Sequence, residues 1–332
     1  MENERALILH EDMDLIVVGQ IADQYARQNL FQEYQAKCTA NTLRRQKADV
    51  QLFVNYLQQA KVIRTVEQLM SDPFSWQGMS YGLLKGFVAW QLQQGYAMGS
   101  VNVRLATMRK YCSLAFEAGA LNEHTSRMIE TVHGYSDKQA RNVDKTREQT
   151  RTGHKKATPT ALNIGQAALL KRQPSTRKGK RDALLMCLLL DHGLRCGEVE
   201  SLTAESINLS EGMMTFYREK VDLVQTHQLT ADTAIAAMHY LPSIAKGGPL
   251  FYGNSGKPLT DRAINDRVGE LGKKIGVENL SPHDCRHYWA TTASRKKTPT
   301  KALQTAGGWK SPAMPLHYAQ AAEIANEGVI LE

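Results

Sequence analysis

The plainest pattern in the chain is helical. Val50, Phe53, Val54 and Leu57 recur at i, i+3, i+4 and i+7, the apolar stripe of an amphipathic helix, with Thr39 and Asn41 ahead of the run. The opposite face carries Arg44, Arg45, Lys47 and Gln51. Ser71-Asp72-Pro73 breaks the pattern. A second stripe, Leu84, Phe87, Val88 and Leu92, predicts a helix over Tyr81 to Gln94, closed by Gly95. Ser100 reads as the N-cap of a helix from Val101 to Gly119. Helical signals begin at Ile21, and residues 1–19 carry no clear period. The expectation is a short leader over 1–19 and an all-α domain over 20–133.

Residues 134–160 are poor in apolar side chains and hold seven basic residues against three acidic ones. This reads as an extended basic inter-domain linker, either a plain tether or one that lies along a phosphate backbone. Beyond it, a second domain over 161–318 shows helical pattern at Gly165–Lys171, Lys180–Leu190, Ala231–Tyr240, Asp261–Ile275, His287–Ser294 and Thr300–Ala306. Met213 to Tyr217 reads as a strand and Thr226 to Thr230 as its return partner, a hairpin whose turn region holds Glu219, Lys220 and Asp222. A tail over 319–332 follows. The fold class is therefore mainly α with a small antiparallel β-sheet in the C-terminal domain, in a two-domain chain.

Composition narrows the class further. The chain has 332 residues, 42% hydrophobic and 22% charged, enough to bury a core without a disulfide or metal staple. The apolar run Leu184–Leu190 falls well short of the ~20 residues that span a bilayer. The acidic start (Glu2, Glu4, Glu11, Asp12) is unlike a signal peptide. The expectation is a cytoplasmic protein without a membrane partner. Five dispersed cysteines with no CxxC read as reduced thiols. A net charge of +8 favours polyanion partners.

There is no phosphate-binding GxxxxGK[ST], no GxGxxG after a strand, no HExxH and no DxDxDG. What stands out is a dispersed set of Arg, Lys, His and Tyr. In His192-Gly193-Leu194-Arg195-Cys196-Gly197-Glu198-Val199, Arg195 and Glu198 share a helix face. An arginine at a helix start can grip a phosphate while the carboxylate steadies its fork, although a surface ion pair has the same spacing. In Ser281-Pro282-His283-Asp284-Cys285-Arg286-His287, His283 and Arg286 share a face and can hold or protonate phosphate oxygens. His283, Cys285 and His287 cannot all point one way, which speaks against them as a three-ligand metal set. Trp309 in Gly307-Gly308-Trp309 precedes Tyr318 by nine residues. A tyrosine ionises near ~10 when free, and a phosphate clamped by two arginines beside it would favour its anion.

Together these pieces resemble the tyrosine recombinase (phage integrase) family, whose pattern R…K…HxxR…[HW]…Y is matched in order by Arg195, Lys220, His283, Arg286, Trp309 and Tyr318. The match spans the second domain, and the all-α first domain is similar to the family's core-binding domain. The resemblance implies a two-domain DNA clamp and a site-specific recombinase. Tyr318 would attack the scissile phosphate to leave a 3′-phosphotyrosyl link and a 5′-hydroxyl. Arg195 and Arg286 would neutralise the transition state, and His283 and Trp309 would complete the clamp. Lys220 would protonate the leaving oxygen, and Glu198 would hold the shape of the site. Trp309 stands where histidine is commoner. Lys246 is the other candidate for the lysine. The chemistry needs no cofactor, metal or ATP.

On this reading the partner is double-stranded DNA, bound by a homo-tetramer on paired short inverted repeats in the nucleoid, with room for accessory proteins. Integration or excision of a mobile element is the expected role. Arg44, Arg45, Lys47, Arg141, Arg151, Lys155 and Lys156 are the basic residues expected to meet DNA, and the tail after Tyr318 is expected to dock on its own domain or on a neighbour. The competing classes are a type IB topoisomerase-like DNA relaxer and a DNA-binding protein without catalysis.

Overall fold

In a computed structural model the chain is described over residues 14–153, 156, 158–245, 247–253 and 255–322, and it divides into two compact units, residues 1–155 and 156–332. Among the described residues no helix is long and apolar enough to cross a membrane.

The first unit is all helical: α1 (Leu15–Ala36), α2 (Ala40–Gln59), α3 (Val66–Ser71), α4 (Tyr81–Gln93), α5 (Met98–Glu117), α6 (Glu123–Glu130) and α7 (Asp137–Asp144). The stripe on α2 is buried as its spacing dictates, and Thr39 caps the helix by accepting from the Thr42 amide. Its Phe53 stacks on Trp76, which stacks in turn on Tyr111 of α5. Three expectations need correction. Helix α1 starts at Leu15, inside the segment read as a leader, whose residues 1–13 lie outside the described ones. Helix α5 starts at Met98, not after Ser100, because Met98 and Val101 are both buried and carry the helix back a turn. The segment after Val132 is not extended over its first half. Ser136 and Gln139 close a capping box at the start of α7. Arg147 then donates to the Tyr96 carbonyl and Thr152 to the Gln94 carbonyl, each at 2.8 Å.

The second unit comprises α8 (Ile164–Lys171), α9 (Arg177–Asp191), α10 (Cys196–Glu200), the strands β1 (Ile207–Asn208), β2 (Met213–Arg218) and β3 (Leu223–Gln228), then α11 (Ala231–Tyr240), α12 (Asp261–Lys274), α13 (Pro282–Arg295), α14 (Thr300–Gly307) and α15 (Ala313–Ala322). The apolar run Leu184–Leu190 is buried on every side, so α9 forms the axis of this core. The sheet is antiparallel in the order β1-β2-β3, with Arg218 opposite Leu223 and Met213 opposite Gln228. The return strand thus starts three residues earlier than expected. That shortens the turn to a 3₁₀ segment, Glu219–Val221, with Lys220 at its centre.

Candidate active site

Arg195, Lys220, His283, Arg286, Trp309 and Tyr318 come from five different places in the second unit and line one cavity of about 820 Å³. Arg195 is the N-cap residue of α10. Glu198 reaches back to its amide at 2.8 Å and to its guanidinium at 2.7 Å, so one carboxylate fixes both the helix start and the side chain. His283 and Arg286 lie in the first turns of α13, which begins at Pro282 with Ser281 as its cap. Tyr318 lies on α15, 2% exposed, with its ring 5.2 Å from that of His287 and 5.7 Å from that of Trp309.

The carboxyl end of α14 organises the rest. A helix leaves its last four carbonyls without helical partners. Here each finds one, and most of them come from the site. Gln304 accepts from the Trp309 amide, and Thr305 accepts from the Gly308 amide and from Gln225. Ala306 accepts from Arg218 at 2.7 Å, and Gly307 from both Arg286 and Arg195. Guanidinium groups also suit the negative end of a helix dipole. Gly308 makes the turn possible. Its φ of +59° lies in the left-handed region, and a Cβ there would sit 2.5 Å from Cδ of Arg218. The turn delivers Trp309 onto Arg286, whose guanidinium lies 4.7 Å from the indole centroid.

The electrostatics follow from this packing. Burial, with Arg195 and Arg218 close by, pushes the Arg286 guanidinium down to about 9. Burial raises Tyr318 above the ordinary tyrosine value, and the smaller pull of Arg286 and Arg195 acts the other way. Burial also lowers His283 and His287, whose Nε2 atoms are 3.0 Å apart, one donating to the other. Among the described residues no group of three or more His, Cys, Asp or Glu is placed to hold a metal ion.

Sequence reasoning missed Arg218. It is wholly buried, and its Nη1 donates to both oxygens of Glu198 at 2.8 Å. The alternation along β2 places Arg218 on the inner face with Met214 and Phe216, which was the available signal. Asp284 was also passed over. Burial would raise its carboxyl, but bonds from Lys156, Ser281 and Thr160 outweigh that and hold it below the usual range. Lys156, read from the sequence as facing phosphate, thus pairs with Asp284 and also donates to Asn279 and Thr160. In the first unit Arg44 bonds Asn41, Arg45 pairs with Asp49, and Lys47 pairs with Glu67 across an exposed gap. Arg141 and Arg151 are exposed. Lys155, the alternative Lys246, and the tail beyond Ala322 lie outside the described residues.

The chain is similar to known proteins in sequence and in fold. The model of the phage integrase family matches residues 166–324, which contain all six cavity residues. The chain is 25% identical over 265 residues to tyrosine recombinase XerC of Thermodesulfovibrio yellowstonii, covering 76% of each chain. It is 32% identical over 129 residues to XerC of Pseudomonas aeruginosa, covering 38% of this chain and 42% of that one. Its fold is similar to that of lambda integrase bound to DNA, with a TM-score of 0.60 at 13% identity, over 93% of this chain and 99% of that one. It is also similar to the Tn1549 transposon integrase in complex with circular intermediate DNA, with a TM-score of 0.56 at 16% identity, over 81% and 94%.

Proposed function

The chain belongs to the phage integrase family of tyrosine recombinases, and on that footing we propose that it cuts and rejoins DNA at specific sites with Tyr318 as nucleophile. The observation that carries the reading is the convergence of Arg195, Lys220, His283, Arg286, Trp309 and Tyr318, spread over more than a third of the chain, on one cavity.

The step balances without any other reactant. The Tyr318 oxygen bonds to phosphorus as the bond from phosphorus to O5′ breaks, leaving a 3′-phosphotyrosyl link. His283, neutral because burial lowers it, accepts the tyrosine proton. Lys220 gives a proton to O5′. Arg195 and Arg286, fixed on the Gly307 carbonyl before DNA arrives, stabilise charge on the equatorial oxygens, and Trp309 packs on Arg286 and offers its N–H. Tyr318 is matched to this role by its burial: without DNA it stays protonated, and a phosphodiester gripped by both arginines turns the same position into a reactive one. The covalent link conserves the bond energy, so a 5′-hydroxyl of a second strand reverses the step without ATP or metal.

Strand exchange needs two duplexes, and we assign it to a tetramer on paired sites in the nucleoid. The likeness of fold to integrases of a phage and a transposon supports integration or excision of a mobile element as the role. The test is covalent trapping on a nicked duplex drawn from the DNA bordering the coding sequence, without metal or ATP. The reading predicts a protein–DNA band that survives denaturation and vanishes in Tyr318→Phe. Salt-sensitive binding without that band would remove the catalytic reading.

A further inference from the structure

We propose that Arg218 is the positioning residue for the proton donor of strand cleavage: it fixes the hairpin tip that carries Lys220 against the arginine clamp. The proposal rests on the recombinase reading of the cavity.

Lys220 is exposed at the centre of the turn between β2 and β3. Packing does little to hold that tip, since Leu223 and Val224 at the start of β3 are 47% and 63% exposed. What holds it lies on the inner face. Arg218 and Gln225 are diagonal neighbours across the two strands, because Arg218 pairs with Leu223 and Phe216 with Gln225. The Arg218 Nε donates to the side-chain Oε1 of Gln225, and the side-chain Nε2 of Gln225 donates to the Thr305 carbonyl. The Arg218 Nη2 donates to Ala306. The tip is therefore fastened to the carboxyl end of α14, one turn before Trp309.

The remaining edge of the same guanidinium faces Glu198, which holds Arg195. One planar fork, wholly buried, thus joins the lysine hairpin, the first arginine and the helix end on which Arg286 rests. Its reach is short: Arg218 precedes Lys220 by two residues, so any shift of the fork moves the ammonium. Lysine at this position would keep the charge, but its three donors sit on one nitrogen and cannot span Glu198, Gln225 and Ala306 as the planar fork does. Gly308 leaves room for the fork and for no more, as its Cβ would collide with the Arg218 side chain. No other described cation combines full burial with contacts to all three elements.

The experiment separates positioning of the proton donor from general structural support. An alcohol leaving from phosphorus needs a proton, whereas a thiol, with a pKa near ~8.5, leaves as the thiolate. The probe is the nicked duplex above, made with oxygen or with sulfur as the 5′-bridging atom at the cleaved phosphodiester. Arg218→Lys should lower the cleavage rate on the oxygen substrate about a hundredfold and on the sulfur substrate a few-fold at most, and Gln225→Leu should show the same selectivity with a smaller loss. Lys220→Ala should be rescued by sulfur in the same way, and Arg195→Ala should not. In the DNA-free protein, amide exchange across Met213–Gln228 should quicken in Arg218→Lys while Leu184–Leu190 keeps its protection. Equal losses of Arg218→Lys on the two substrates, or unchanged exchange in the hairpin, would overturn the proposal. Failure of sulfur to rescue Lys220→Ala, with the wild type active, would also overturn it by removing Lys220 as donor. A wild-type chain that forms no Tyr318-linked product with either substrate identifies the recombinase reading as the part that fails, and the role of Arg218 falls with it.

Discussion

The Nη1 of Arg218 lies 2.8 Å from each carboxylate oxygen of Glu198, and both side chains are buried. Glu198 also holds Arg195, so a single carboxylate faces two guanidinium groups. Buried ion pairs are costly to break on one side, because the partner is left charged and unpaired. Glu198→Ala should destabilise the second unit by about 3–5 kcal/mol. Glu198→Gln, which keeps one carbonyl acceptor, should cost less. Chemical denaturation of the two variants measures the difference.

The tight turn after α14 gives a sharper test of shape. A Cβ on Gly307 would lie 2.1 Å from Cζ3 of Trp309, and an indole cannot fold out of the way as a flexible chain can. Gly307→Ala should displace Trp309, cost about 1–3 kcal/mol as overpacking does, and slow cleavage. Gly197→Ala in α10 meets nothing within 4 Å and serves as the matched control. It should leave stability unchanged or slightly raised. Indole fluorescence and denaturation, read side by side, check both.

Lys156 was expected to touch DNA, but its ammonium faces the Asp284 carboxylate, which is 2% exposed. Lys156→Ala should therefore lower stability by about 1–3 kcal/mol, as an under-satisfied buried group does. Loss of a phosphate contact would instead flatten the salt dependence of DNA binding by about one counterion. The slope of log affinity against log salt should stay that of the wild type.

Acid should weaken the second unit through two histidines. Burial holds both His192 and His227 down to about 4, and their rings lie 5.8 Å apart. An unfolded histidine titrates near ~6.5, so between that value and about 4 the unfolded chain binds more protons than the folded one. Stability is thus present in full above pH ~6.5 and is lost as pH falls toward the folded values. His192→Gln should flatten this slope, as thermal denaturation across the window would show.

Much of the fold was legible because its signals are local. The stripe on α2, with Thr39 ahead of it, and the stop at Gly95 both depend on neighbours in the chain. Where such signals are missing, reading failed. Ala97 makes no side-chain cap bond, so Ser100 attracted the start of α5 three residues too late. Helix α7 buries no residue, so it has no apolar period to betray it within a basic stretch. The six cavity residues were found because their order along the chain matches a family pattern. Arg218 was not, because its partners Glu198, Gln225 and Ala306 come from three separate elements, and its charge contradicts the buried parity of its strand position.

The central claim is that Tyr318 carries the DNA between cleavage and rejoining. The most direct measurement is peptide mapping of the trapped complex by mass spectrometry after nuclease digestion. The account predicts a nucleotide joined through its 3′-phosphate to the peptide that contains Tyr318, with a free 5′-hydroxyl on the released strand. A nucleotide on any other residue, or one joined through a 5′-phosphate, would contradict it.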